Sequence, residues 1–104
     1  MITLTIALAI AVPNPSSIEA PRRAFATCLK TFETKSLQEK LAATAYADSV
    51  KTACQSEAAA LTQALVAFDM AMGTKRAAAA ANAERDLADY RLTSEERYRD
   101  ILGN

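Results

Sequence analysis

The chain has no histidine and no tryptophan, only two glycines and three prolines among 104 residues, and no net charge. Each shortage closes a route. Without histidine the usual nucleophile systems lack their base. The Glu-x-x-His pairs of di-metal carboxylate bundles are missing, and so are zinc sets that rely on imidazole. Gly73 and Gly103 are the only glycines, so no glycine-rich loop can cradle a phosphate. Few glycines and prolines beside abundant Ala, Glu, Lys, Arg and Leu make strands and hairpins improbable. Twelve basic side chains balance twelve acidic ones, so the basic excess of a phosphate-backbone binder is absent. The expectation is no catalytic residue, no cofactor, no metal ligand set and no nucleic-acid partner: not an enzyme.

What is present is alanine. The chain is 51% hydrophobic, but large apolar side chains after Ala20 are few. They suffice for one thin seam between helices, a single domain that needs a covalent or oligomeric supplement. Charge is mildly uneven: residues 21–40 hold five basic and two acidic side chains, residues 41–72 one basic and three acidic. This reads as matching of adjacent helices.

Residues Ile2 to Val12 form an uncharged apolar run. A bilayer-spanning helix needs about 20 such residues, so no transmembrane span is expected. The length suits the apolar core of a secretory signal peptide, and Pro13-Asn14-Pro15-Ser16-Ser17 breaks the pattern behind it. No lysine or arginine precedes the run, so only the amino terminus supplies positive charge there. The alternative is an apolar segment that packs on the bundle or stays disordered. Residues 1–20 are read as signal peptide or disordered leader and 21–104 as one helical domain, exported and periplasmic.

Two cysteines, Cys28 and Cys54, permit one intramolecular bridge. Export would place the pair where disulfides persist. Their midpoint, Leu41, falls where the chain should turn, so the two can face each other across an antiparallel hairpin. A structural disulfide is the preferred reading. Two free buried thiols, or a reactive or metal-binding pair, are the alternatives.

The first helix is expected from Ala20, with Pro21 at an early position that tolerates a missing N–H. Phe25, Cys28, Leu29 and Phe32 share an arc of about 100°, and the pattern fades at 34–36. Ser36 and Glu39 fit a capping box for a short turn. A long middle helix, Thr44 to Met72, carries the stripe Tyr46, Val50, Cys54, Ala58, Leu61, Leu65, Phe68 and Met72, within about 120°. Glu57 projects into that stripe and is expected to pair with a cation of the first helix. Gly73 stops the helix and Thr74 caps the next. The third helix has a stripe of Ala80, Ala83, Leu87, Tyr90, Ser94, Tyr98 and Ile101. Its outer face offers the ion pairs Arg85–Asp89, Arg91–Glu95 and Glu95–Arg99. The fold expected is all-α: a small antiparallel three-helix bundle or helical hairpin with a long C-terminal helix and coiled-coil-like seams, preceded by a leader.

Cys28 and Cys54, the run Ala-Met-Gly-Thr-Lys-Arg at 71–76, and Asp89-Tyr90 with Glu96-Arg97-Tyr98 resemble a group of short, uncharacterised, exported alanine-rich helical proteins of Gram-negative bacteria. The resemblance covers most of residues 22–100. It implies export and a helical fold, and it brings no activity.

Ala59, Val66 and Met70 form a second apolar strip on the middle helix, roughly opposite the first. Unless a neighbour covers it, it is a candidate partner strip, for a protein partner or a second copy. The expected function is therefore a protein-interaction or structural module of the cell envelope. The alternative is a small-molecule carrier with an apolar cavity beside Tyr46, Phe68 and Tyr90.

Overall fold

In the computed structural model the described residues are Asn14 and residues 16–103. They form four helices: α1 (Ser16–Gln38), α2 (Ala43–Val50), α3 (Gln55–Ala71) and α4 (Arg76–Gly103). No strand occurs among the described residues. The fold is all-α with a long C-terminal helix, as expected. The apolar run of the leader lies outside the described residues. No described helix is long and apolar enough to cross a membrane.

Cross-helix pairs set the directions. Arg22 meets Tyr90 and Glu33 meets Ser94 and Arg97, so α1 and α4 run the same way. Tyr46 meets Ser94 while Asp69 meets Asn82, so α2 and α3 run the opposite way. The result is three rods, of which the middle one is broken and antiparallel to the other two.

That break corrects the expected continuous helix from Thr44 to Met72. Residues 51–54 form a turn, and Cys54 sits in the left-handed region with φ of 60°. A stripe that advances by four residues drifts by about 40° per step on a 3.6-residue helix. Tyr46, Val50, Cys54 and Ala58 make three such steps, a drift of about 120° along a straight rod. Resetting the backbone at Cys54 lets Tyr46 and Val50 stay fully buried on one side of the break and Leu61 on the other.

The helix ends follow local chemistry. Asn14 caps α1 by accepting from the Ser16 N–H at 3.1 Å. The helix thus begins four residues before Ala20, and Pro21 lies inside it, not at its first position. At the other end α1 runs through the proposed Ser36–Glu39 capping box to Gln38, with Ser36 buried in the helix. The Leu41 N–H donates to Ser36 and the Lys40 N–H to Leu37, with Lys40 left-handed at φ of 56°. The same paired closure ends α3: the Thr74 N–H donates to Asp69, the Gly73 N–H to Met70, and Gly73 has φ of 98°. Glycine adopts that conformation at little cost, while Lys40 bears a Cβ penalty.

The core is one cluster of Phe25, Leu29, Tyr46, Val50, Ala58, Leu61, Leu87 and Tyr98. Its ends differ. Near the α3–α4 turn, Ala79 and Ala83 are buried and let the backbones close up. The stripe of α4 therefore starts at Ala79, one position before the Ala80 expected. At the far end, Tyr46 and Tyr98 fill a wider gap. Ile101 and Met72, assigned to the stripes, are 45% and 65% exposed because both lie past the last packed turn.

The disulfide joins Cys28 in the middle of α1 to Cys54 at the start of α3, with Cα atoms 6.0 Å apart. Closing a loop of 26 residues removes unfolded-state entropy on the order of 3 kcal/mol. For a core this thin that is a large share of the total.

Candidate functional site

Four places could carry function: a buried polar chain, the disulfide corner, a groove between α1 and α4, and the strip on α3.

The polar chain was not legible as a site. Glu33, on the core face of α1, is 4% exposed. Arg97 of α4 grips it with two hydrogen bonds, Nε to Oε1 at 2.6 Å and Nη2 to Oε2 at 2.5 Å. The Ser94 hydroxyl donates to Glu33 Oε2 at 3.1 Å. That uses its one proton, so the Tyr46 phenol must be the donor in the 2.6 Å contact with Ser94. Tyr46 stacks on Tyr98 with ring centroids 3.9 Å apart and on Phe32 at 5.4 Å. Tyr98 donates to the Leu41 carbonyl at 2.5 Å. The chain thus ties α1, α2, α4 and the loop before α2. Burial pushes the Tyr46 phenol up from its ordinary value, and burial does the same to Tyr98. The bond to Glu33 raises Arg97.

Chemically the arrangement is closed. Ser94 is fully buried, with its proton spent on Glu33 and its oxygen engaged by Tyr46. A substrate has no approach to it. The network satisfies buried polar groups and fixes register, which is what such chains do when every member is paired. The sequence signal was Ser94, a polar residue inside an apolar stripe. A buried hydroxyl calls for a buried partner, and Glu33, four residues after Leu29, extends the Phe25–Leu29 row.

A second polar cluster lies lower on the same seam. Arg22 donates to the Tyr90 hydroxyl at 2.9 Å and pairs with Asp86 at 3.2 Å. The bond to Tyr90, opposed by burial, raises Arg22, and Asp86 adds to it. Arg91 lies over the Phe25 ring at 5.4 Å. Its Nε is buried without a hydrogen-bond partner, and burial lowers its pKa. Arg91 thus packs on α1 and does not make its expected outer-face pair with Glu95. Among the described residues, ion pairs within 4.0 Å join Arg22 to Asp86, Lys51 to Asp48 and Arg97 to Glu33. Arg85–Asp89, Arg91–Glu95 and Glu95–Arg99 are not among them. Long surface side chains gain little from such pairs, because solvent screens them and holding both side chains costs entropy.

At the disulfide corner Glu57 is half-buried, and a carboxylate oxygen lies within 4.8 Å of both sulfurs. It has no cation within 4.0 Å among the described residues, so the pairing expected with α1 is not formed. Its place in the first turn of α3 explains why a charge is tolerated there, since helix N-termini favour carboxylates.

The groove between α1 and α4 has a volume of about 260 Å³ and is walled by Ala26, Leu29, Tyr90 and Thr93, with Lys30, Arg97, Asp86 and Asp89 at its rim. It meets only one of the three aromatics expected to flank a carrier cavity. Tyr46 is sealed between Phe32 and Tyr98.

The strip on α3 is open. Ala59 is exposed, Val66 is half-buried and Met70 is 38% exposed. Val66 and Met70 line a shallow groove with Thr62, Ala67 and Arg76. Leu92 of α4 is a separate exposed apolar residue, beside Lys51, Ala88 and Glu95.

No family model, no curated protein and no solved structure matches the chain.

Proposed function

We propose that the chain is an exported, disulfide-stapled helical module of the cell envelope that works by contact with a protein, with the α3 strip as its contact surface. One observation carries this reading. The middle rod packs against α1 and α4 and leaves Ala59 and Met70 exposed and Val66 half-buried. Methionine is unbranched and polarisable and adapts to a partner's shape. The bridge between Cys28 and Cys54 supports an oxidising, periplasmic setting, where disulfides persist. The resemblance to exported alanine-rich proteins points the same way. The buried polar chain through Tyr46, Ser94 and Glu33 supports a structural role for those residues.

Replacing Val66 and Met70 by aspartate tests the reading. Non-reducing pull-down from the envelope fraction should lose the associated protein, while circular dichroism shows unchanged helicity. Association that survives both charges would sink it.

One observation favours a second reading, a small-molecule carrier: the groove beside Tyr90. Its surface is a different one, so ligand binding there would be indifferent to the Val66 and Met70 substitutions.

A further inference from the structure

The disulfide corner holds more chemistry than a staple needs. Cys28 Sγ, Cys54 Sγ and a Glu57 carboxylate oxygen all lie within 4.8 Å of one another, and all three residues are half-buried. Glu57 sits in the apolar stripe of the middle rod with no cation within 4.0 Å among the described residues. The three donors come from two helices already held together: Cys28 from the middle of α1, Cys54 and Glu57 from the start of α3. A zinc-type ion binds thiolates at about 2.3 Å and carboxylates at about 2.0–2.2 Å. Tetrahedral donors around one ion are then about 3.5–3.8 Å apart. The Glu57 oxygen, within 4.8 Å of both sulfurs, reaches that spacing by a small side-chain rotation. The sulfurs must part, which side-chain rotation allows because the Cα atoms are 6.0 Å apart.

We propose that Cys28, Cys54 and Glu57 form a latent site for one thiophilic divalent cation, closed by the disulfide and opened by its reduction. In the oxidised chain the sulfurs are bonded to each other and offer no thiolate. A phosphine reductant supplies two electrons, the S–S bond breaks, and two protons from water make two thiols as the phosphine becomes its oxide. A Zn²⁺-class ion then displaces both thiol protons and takes two thiolates and the Glu57 carboxylate. Solvent fills the fourth position. The unpaired N–H groups at the start of α3 favour negative charge on Cys54 and Glu57. The ion would hold α1 against α3 as the disulfide does, so metal and disulfide are alternative clasps on the same pair of helices. The site is independent of the α3 partner strip.

The experiment uses the full chain, oxidised and phosphine-reduced, titrated with Co²⁺ as a spectroscopic probe and then with Zn²⁺. The reduced chain should take up one Co²⁺ with thiolate charge-transfer and tetrahedral ligand-field bands, which Zn²⁺ displaces. The oxidised chain should show neither. Glu57→Gln should weaken Co²⁺ binding in the reduced chain at least ten-fold, with helicity of the oxidised variant unchanged. If reduction alone lowers helicity, Zn²⁺ should restore it. Absence of the bands, helicity that Zn²⁺ does not restore, or Glu57→Gln binding as tight as that of the original chain would each overturn the proposal.

Discussion

The two ends of the bundle solve the same packing problem with opposite materials. Near the α3–α4 turn the seam is closed by alanine: Ala79 and Ala83 are buried, and the Asn82–Asp69 hydrogen bond there is exposed. At the other end the gap is wider, and Tyr46, Tyr98, Ser94 and Glu33 fill it with rings and a hydrogen-bonded chain. The alanine end relies on helix propensity and close approach. The tyrosine end relies on bulk and on satisfying every polar atom it buries. The first tolerates small errors of register. The second does not, because a shift of one turn strands Glu33 without Arg97 and Ser94.

The contrast can be broken most severely at Tyr98. Tyr98→Ala removes a fully buried ring, its stack on Tyr46 and its bond to Leu41. A loss of about 4 kcal/mol is expected from urea denaturation of the oxidised chain. A loss below about 1 kcal/mol would mean the end collapses around the cavity and is not a rigid fit.

Glu33→Gln comes next. It keeps the shape but takes the charge that Arg97 grips, and it should cost about 2 kcal/mol. A cycle with Arg97→Met should show coupling between the two. Additive losses would show that the pair fixes nothing jointly.

Ala83→Gly at the alanine end should cost only about 1 kcal/mol, the propensity difference between the two residues in a helix. A cost matching that of Tyr98→Ala would erase the distinction between the ends.

The smallest effect, absent at neutral pH, is alkaline. Burial raises the phenols of Tyr46 and Tyr98 above the ordinary value of 10.0. The folded chain holds protons that the unfolded chain releases near that value. The stability tied to them is complete below about pH 10 and is lost as pH rises through the raised folded values. Helicity should fall together with the appearance of tyrosinate absorbance. Tyrosinate from Tyr46 and Tyr98 forming near pH 10 in a fully helical chain would show that neither ring is sealed.

Much of the fold was legible in the residue pattern. The stripes of Tyr46–Val50 and Leu87–Tyr98, the stop at Gly73 and the facing of Cys28 and Cys54 are local or nearly local, and periodicity and turn chemistry report such features. The break at residues 51–54 was hidden because the stripe continues through it at a step of four. Cys54 adopts a left-handed backbone that its identity does not advertise. Glu33 was hidden for a different reason. A glutamate at the edge of an apolar arc normally points to solvent, and only Arg97 and Ser94 on another helix make its burial favourable. The same holds for Arg22, which meets Tyr90 of another helix, and for Arg91, which lies over Phe25 and not beside Glu95.

The sequence by itself determined that the chain is helical, where the α3 rod stops, and which cysteines can meet, because each depends on backbone preference and spacing along one chain. Only the tertiary structure decided that the middle rod bends at Cys54, that Glu33 is buried, and that Glu57 stands beside the two sulfurs. Those outcomes depend on which distant groups arrive opposite. Whether a buried charge or a left-handed cysteine is tolerated is set by those neighbours as well as by its own side chain.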